Sequence, residues 1–160
     1  MKQAIDMLKA LSVFLVSCAA FLPPVLAADA ETGLRISEVA YKKAGDTKEF
    51  PDPEPSAAEP LHVQNKAIVT QDDVESCKVY FDDAWTIFIT LTPSGREKFA
   101  VATRELKYRK LAVLVGERVI TAPVLVAAIE DGHILLTGRF TEQKARRIAT
   151  IIESSRKPAK

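Results

Sequence analysis

Residues 110–140, KLAVLVGERVITAPVLVAAIEDGHILLTGRF, decide the fold. Residues 111–115 form an uninterrupted apolar run, the pattern of a strand covered on both faces. Gly116-Glu117-Arg118 breaks it before residues 119–122 run apolar again. The spacing predicts a β-hairpin in the middle of a sheet. Pro123 has no N–H to give to a ladder, so the second strand ends there or lies at an edge. Asp131-Gly132 supplies a turn, and residues 133–137 are predicted to be a third strand that joins the pair. Gly116, Gly132 and Gly138 read as positions that shape the backbone, through unusual dihedrals or close strand approach.

Upstream of this stretch, Trp85, Ile87, Ile89 and Leu91 alternate with Thr86, Phe88, Thr90 and Thr92, which predicts a strand with the first set facing the core. Thr92-Pro93 then ends the strand and starts a helix, with threonine as N-cap and proline at the first helical position, where a missing N–H costs nothing. Phe99, Ala102, Thr103 and Leu106 share one stripe of that helix, and charged residues cover the rest. The final helix repeats the device. Thr141 caps it, Phe140 sits at staple spacing over Ala145, and Ile148, Ala149 and Ile152 continue the buried stripe. Lys78 to Phe81 reads as a strand and Asp82-Asp83 as its turn. The order predicts an α+β fold, a mainly antiparallel sheet with two helices packed on one face.

The N-terminal third is harder to place. Residues 34–40 mix apolar and polar positions on both faces, which suits a short edge strand. Residues 42–60 are charged, small and rich in proline, and are expected to form a flexible loop. Residues 61–64 and 67–69 read as short extended pieces. Thr70 to Asp73 offers capping oxygens and first-turn carboxylates for a short helix running to Ser76, with Cys77 beside it.

Met1 to Ala27 has the character of an export signal: Lys2 and Lys9, then apolar residues from 10 to 22, then Pro23-Pro24 and small residues before Ala28. The apolar run is short of the roughly 20 residues that span a bilayer core. Cleavage between Ala27 and Ala28 is expected, giving a periplasmic protein. The competing reading is a lipobox, Leu15-Val16-Ser17-Cys18, with Cys18 lipidated as the anchor.

Removal of residues 1–27 takes away Lys2, Lys9 and Asp6, which reduces 22 basic and 21 acidic residues to 20 of each. Net charge near zero argues against a nucleic-acid partner, which needs basic excess to neutralise phosphates. Cys77 is then the only thiol, so no internal disulfide forms, and it reads as a small core residue. His62 and His133 have no second ligand at metal spacing, and the six glycines are isolated, so neither a metal site nor a phosphate loop nor any other cofactor motif is present in the sequence. The acidic pairs Asp72-Asp73, Asp82-Asp83 and Glu130-Asp131 sit where caps and turns want them. No catalytic residues are assigned.

Four pieces in order carry a family resemblance. They are Leu91-Thr92-Pro93-Ser94-Gly95 through Phe99 and Thr103; Leu111 to Gly116 with Val119 to Pro123; Ile129 through Gly132 to Gly138; and Phe140-Thr141-Glu142 through Ala145 to Ala149. The combination resembles the head subdomain of the first periplasmic domain of SecD, the accessory subunit that acts with SecF in bacterial protein export. One departure is local: members usually carry Asp-Gly in the hairpin where Val115-Gly116-Glu117 stands here. The other is larger, because the full subunit uses several membrane helices to couple proton flow to export and no such segment follows the signal here.

The resemblance implies a SecD-head-like α+β domain over 61–155, preceded by a strand and Pro-rich loop at 28–60 and followed by a basic tail at 156–160. It also implies a non-enzymatic binding module that contacts polypeptide or an envelope partner protein; the alternative is a structural or regulatory envelope protein that reuses the fold. With the helices over one sheet face, the expected contact is an edge near Thr121, Ala122 and Pro123, beside the 42–60 loop. Edman sequencing of the exported protein is expected to start at Ala28, and a lipid-modified Cys18 as first residue would establish the lipobox instead.

Overall fold

The computed structural model describes residues 33–155; the signal, lipobox and basic-tail expectations lie outside them. The elements in order are β1 (Leu34–Ala40), β2 (Thr47–Phe50), β3 (Leu61–Thr70), β4 (Val74–Asp82), β5 (Ala84–Leu91), α1 (Pro93–Glu105), β6 (Leu111–Val115), β7 (Arg118–Thr121), β8 (His133–Leu136) and α2 (Glu142–Ser154). The class is α+β with antiparallel pairing throughout. The strands divide into two sheets, one of order β2-β3-β1-β6-β7 and one of order β4-β5-β8.

One alternate set of apolar residues from each sheet turns inward between the layers. Leu34, Ile36, Leu111, Val113 and Val115 of the larger sheet meet Ile87, Ile89, Leu91, Ile134 and Leu136 of the smaller one in a shared core. Phe99 of α1 and Ala145, Ile148, Ala149 and Ile152 of α2 complete it. The alternate β6 residues Ala112 and Leu114 face a second cluster with Phe50, Leu61 and Val63. All five residues of β6 are therefore buried, which is the physical content of its uninterrupted apolar run. Both helices start as their caps require: Thr92 Oγ1 accepts from Gly95 N–H at 3.1 Å and Thr141 Oγ1 from Lys144 N–H at 3.2 Å.

Several expectations are corrected. The mixed pattern of 34–40 suits an edge, yet β1 lies at the centre between β3 and β6. Its polar residues are satisfied or enclosed rather than solvated: Ser37 is fully buried and Glu38 is paired with Arg109 Nη2 at 2.5 Å. The stretch 42–60 contains strand β2, anchored by buried Phe50 opposite Leu61. The two pieces at 61–64 and 67–69 are one strand, with irregular pairing where Ser37 faces Ala67 and Val39 faces Val63. The helix from Thr70 is only a 3-10 turn, Gln71–Asp73. β4 begins at once because Val74 pairs with Leu91, so Cys77 belongs to a strand.

The hairpin β6–β7 forms around Gly116 and Glu117, with Val115 opposite Arg118 and Gly116 at φ +59°, the left-handed value such two-residue turns need at their first position. However, β7 is an edge, and among the described residues no third strand joins it. Strand β8 pairs with β5 in the other sheet, Ile89 opposite Ile134. Pro123 offers the ladder no donor, and Gly132, at φ +74° with its carbonyl accepting Leu91 N–H at 2.9 Å, delivers the chain to β5. Gly138 has no left-handed φ; a Cβ there would rest 3.4 Å from the Phe140 ring.

The 3-10 turn carries two polar junctions. Gln71 Oε1 accepts from Leu34 N–H at 2.6 Å, and its Nε2 donates to Ile152 O at 2.7 Å. Asp73, buried, accepts from Lys98 Nζ at 2.7 Å and from Thr70 N–H at 3.1 Å, and its carbonyl accepts Thr92 N–H at 2.9 Å. On the smaller sheet, Cys77 N–H donates to Glu153 Oε1 at 2.6 Å, a bond from helix to edge strand.

Burial works against the charged form of Asp73, but the Lys98 ammonium and the Thr70 donors outweigh it and hold the carboxyl below its ordinary range. A depressed folded value means that the stabilisation is complete above the unfolded pKa, about 3.9, and is lost as pH falls through the folded one. Asp73→Asn is expected to lower stability by about 1–3 kcal/mol near neutral pH. In urea melts the gap to wild type should close in acid, and a gap constant down to the acid limit would refute the assignment.

Candidate functional site

Among the described residues strand β7 has a neighbour on one side only, and the structure places Thr121, Ala122 and Pro123 at the end of that free edge. Beyond Pro123 the chain stays beside the start of β6. Leu111 N–H donates to Pro123 O at 3.0 Å, Lys110 bridges to Val124, and Leu125 N–H donates to Arg109 O at 2.9 Å. Residues 126–129 then arch over the gap between the two sheets and are fastened on α1. Thr103, in the buried stripe of that helix, accepts Ile129 N–H at 3.0 Å through its hydroxyl. Arg96 Nε donates to Glu130 O at 2.7 Å, and Arg104 Nη2 meets Glu130 Oε1 at 2.8 Å.

Beneath the arch lies an apolar cavity of about 320 Å³, walled by Phe99, Val113, Thr121, Pro123, Ile134 and Leu136 among others. Its rim is unusually apolar for a surface: Val124 is 51% exposed, Val126 70% and Leu135 59%. On the other side of the edge, a polar cleft of about 630 Å³ is bounded by Asp52 to Pro55, Thr121 to Pro123, Arg139 and Lys144. The structure thus brings the free edge and part of the Pro-rich segment together. Lys110 Nζ, 3.5 Å from Asp52, ties that segment down.

The groups with chemical potential lie elsewhere. Burial pushes the Cys77 thiol up to about 12, with the Glu153 carboxylate adding to the effect, so it stays protonated and inert. His62 is on β3 and His133 on β8. Among the described residues no group of three or more His, Cys, Asp or Glu side chains could hold a metal ion. The left-handed φ of Gly132 goes with a close approach: a Cβ there would stand 2.9 Å from Arg96 Cβ.

Sequence reasoning missed the arch. Residues 124–129 form an apolar run without alternation between Pro123 and Glu130, and that run is the signal for it. It also took Thr103 for an ordinary stripe residue, although a buried hydroxyl demands a partner.

The model of the SecDF P1 head subdomain matches residues 45–159. The chain belongs to the SecDF P1 head family. The SecDF protein translocase subunit of Thermus thermophilus is 31% identical over 93 residues, covering 57% of this chain and 13% of that protein. SecD of Desulfurispirillum indicum is 28% identical over 126 residues, covering 77% and 24% respectively. Family members of known structure agree in fold. A membrane component SecDF that enhances protein export superposes with a TM-score of 0.59 at 25% identity, over 78% of this chain and 63% of that one. SecDF in a super-membrane-facing form gives the same score and identity over 77% and 19%. The chain therefore spans only a small part, 13% and 24%, of the two protein relatives. Among the described residues of this P1 head, no helix is long and apolar enough to cross a membrane.

Thr103→Val keeps the shape and removes the acceptor of Ile129 N–H. It should cost about 1–2 kcal/mol, and hydrogen exchange at Ile129 should accelerate more than at β5. Equal protection in both proteins would show that the hydroxyl does not hold the arch.

Proposed function

We propose that this P1 head is a non-enzymatic, polypeptide-binding module of the cell envelope. An extended segment pairs with the free edge of β7 at Thr121 and Ala122 and sets one apolar side chain toward the cavity under residues 123–129. The observation that carries this is the adjacency of an unpaired strand edge to an apolar cavity with an exposed Val124, Val126 and Leu135 rim. Backbone pairing at an edge is tolerant of sequence, and a cavity open to one side chain adds only a preference for apolar residues. A SecDF relative enhances protein export, which supports an emerging, unfolded polypeptide as the client and the periplasm as the place.

The energetics fit a weak, reversible contact. Pro123 ends the edge after a four-residue strand, so only two or three bonds of about 1 kcal/mol net each are available. One buried side chain adds about 1.5–3 kcal/mol. After the cost of association this corresponds to affinity on the order of 1 mM. Release then needs no energy input at the head, and no turnover of ester, peptide or phosphate substrates is expected.

Titrating the ¹⁵N-labelled exported chain with an unfolded client tests the reading. Amide shifts should concentrate on 119–126 and Leu135, and Val126→Asp, at an exposed position, should weaken them about tenfold, equivalent to about 1.4 kcal/mol. No shifts on the β7 edge at millimolar client would reject polypeptide capture and leave a structural or regulatory role in the envelope.

A further inference from the structure

Tyr41 follows β1 and Tyr108 precedes β6. Because these strands are antiparallel neighbours with Glu38 opposite Leu111, both tyrosines come to the same end of the larger sheet. They are 83% and 66% exposed, uncommon values for rings of this size. Between them lies a depression of about 530 Å³ whose wall includes Asp52, Glu59, His62, Arg109 and Lys110. Tyr108 holds a left-handed φ of +68°, rare for a bulky residue, and its N–H donates to Leu125 O at 2.7 Å. The Arg109 guanidinium carbon lies 5.0 Å from the centre of the Tyr41 ring.

Charge in the wall balances. Asp52 and Glu59 oppose Arg109 and Lys110, and the two cations are already engaged, Arg109 by Glu38 at 2.5 Å and Lys110 by Asp52 at 3.5 Å. An ionic ligand gains little here. The wall nevertheless offers exposed donors and acceptors on Glu59, Lys110 and Arg109, while Arg109 Nε and His62 Nδ1 lie buried behind it. The nearest carboxylate to His62 Nδ1 is Glu49, 3.9 Å away. Flat aromatic faces beside mixed, planar polar groups suit a ligand that is neutral, rich in hydroxyls and apolar on its ring faces.

We propose that the Tyr41–Tyr108 depression binds a pyranose unit of a neutral glycan. The C–H faces of the sugar lie on the tyrosine rings, and its hydroxyls, each both donor and acceptor, meet the exposed Glu59 and the exposed parts of Lys110 and Arg109 that line the depression. The site uses residues different from the β7 edge, so its test stands apart from that of polypeptide binding.

The probes are the trimer of N-acetylglucosamine and maltotriose, titrated into the ¹⁵N-labelled exported chain. Saturable shifts at Tyr41, Tyr108, His62 and Arg109 with either sugar are expected. Tyr41→Ala should weaken binding at least about tenfold, a change of about 1.4 kcal/mol. Tyr108→Gly is the second variant, because glycine adopts the left-handed backbone without strain and the fold is retained while the ring is lost. It should weaken binding equally. The proposal is overturned by no saturable shift at about 50 mM of either sugar, by shifts confined to the β7 edge, or by affinity unchanged in Tyr108→Gly.

Discussion

The two sheets share no ladder, so their mutual placement depends on what the chain does where it passes from one to the other. The first crossing is the single 3-10 turn at Gln71–Asp73. Gln71 reaches both the first amide of β1 and the Ile152 carbonyl in the last turn of α2, so one amide side chain joins the start of the larger sheet to the helix packed on the smaller. The fit is tight: a Cβ on Gly33 would fall 2.0 Å from Gln71 Oε1. Asp73 does the same for α1 through Lys98 and the Thr92 amide. Apolar burial supplies most of the cohesion, but it is non-directional, and these bonds are what fix angle and register between layers.

Helix α1 carries the chain back to the larger sheet, and the third crossing, the arch at 123–132, obeys the same logic. A segment leaving a sheet gives up its ladder partners, and its backbone groups need others. Thr103 and Arg96 on α1 take the Ile129 amide and the Glu130 carbonyl, and Arg104 pairs with the Glu130 side chain. The cavity beneath follows from this arrangement, because the arch is held at its ends and roofs a space that no side chain fills. The apolar cavity therefore lies at the seam of the two layers, walled by residues of both sheets.

Much of this was legible in the residues. Strand β5 and both helices announce themselves by period, caps and staple, since Ile87, Ile89, Phe99 and Ile148 fall where a single covered face requires them. Strand β6 reads as doubly covered, and it is. What periodicity does not contain is the partner of a strand. The alternation of Ile134 and Leu136 with His133 and Leu135 is the same whether β8 lies beside β7 or β5, and Pro123 and the left-handed Gly132 lie outside that alternating stretch. The central place of β1 was hidden for a different reason. Ser37 and Glu38 look solvated, yet one is enclosed and the other neutralised by Arg109, a tertiary event with no local signature. The free edge at Thr121 was legible from Pro123, whereas the apolar arch beside it carried a signal that lacked any period to interpret.

The bond from Glu153 to the amide of Cys77 has a meaning beyond the joining of helix to strand. Strand β4 is nine residues long and borders the smaller sheet, with Tyr80 and Phe81 exposed on it. A long border of that kind is a template on which a second chain could stack, the first step toward fibrils. A carboxylate seated on one of its amides takes away a donor that such stacking would use and sets a negative charge in the path of an incoming carbonyl. The long β4 border is thereby guarded against stacking, while among the described residues the short β7 border carries no such guard.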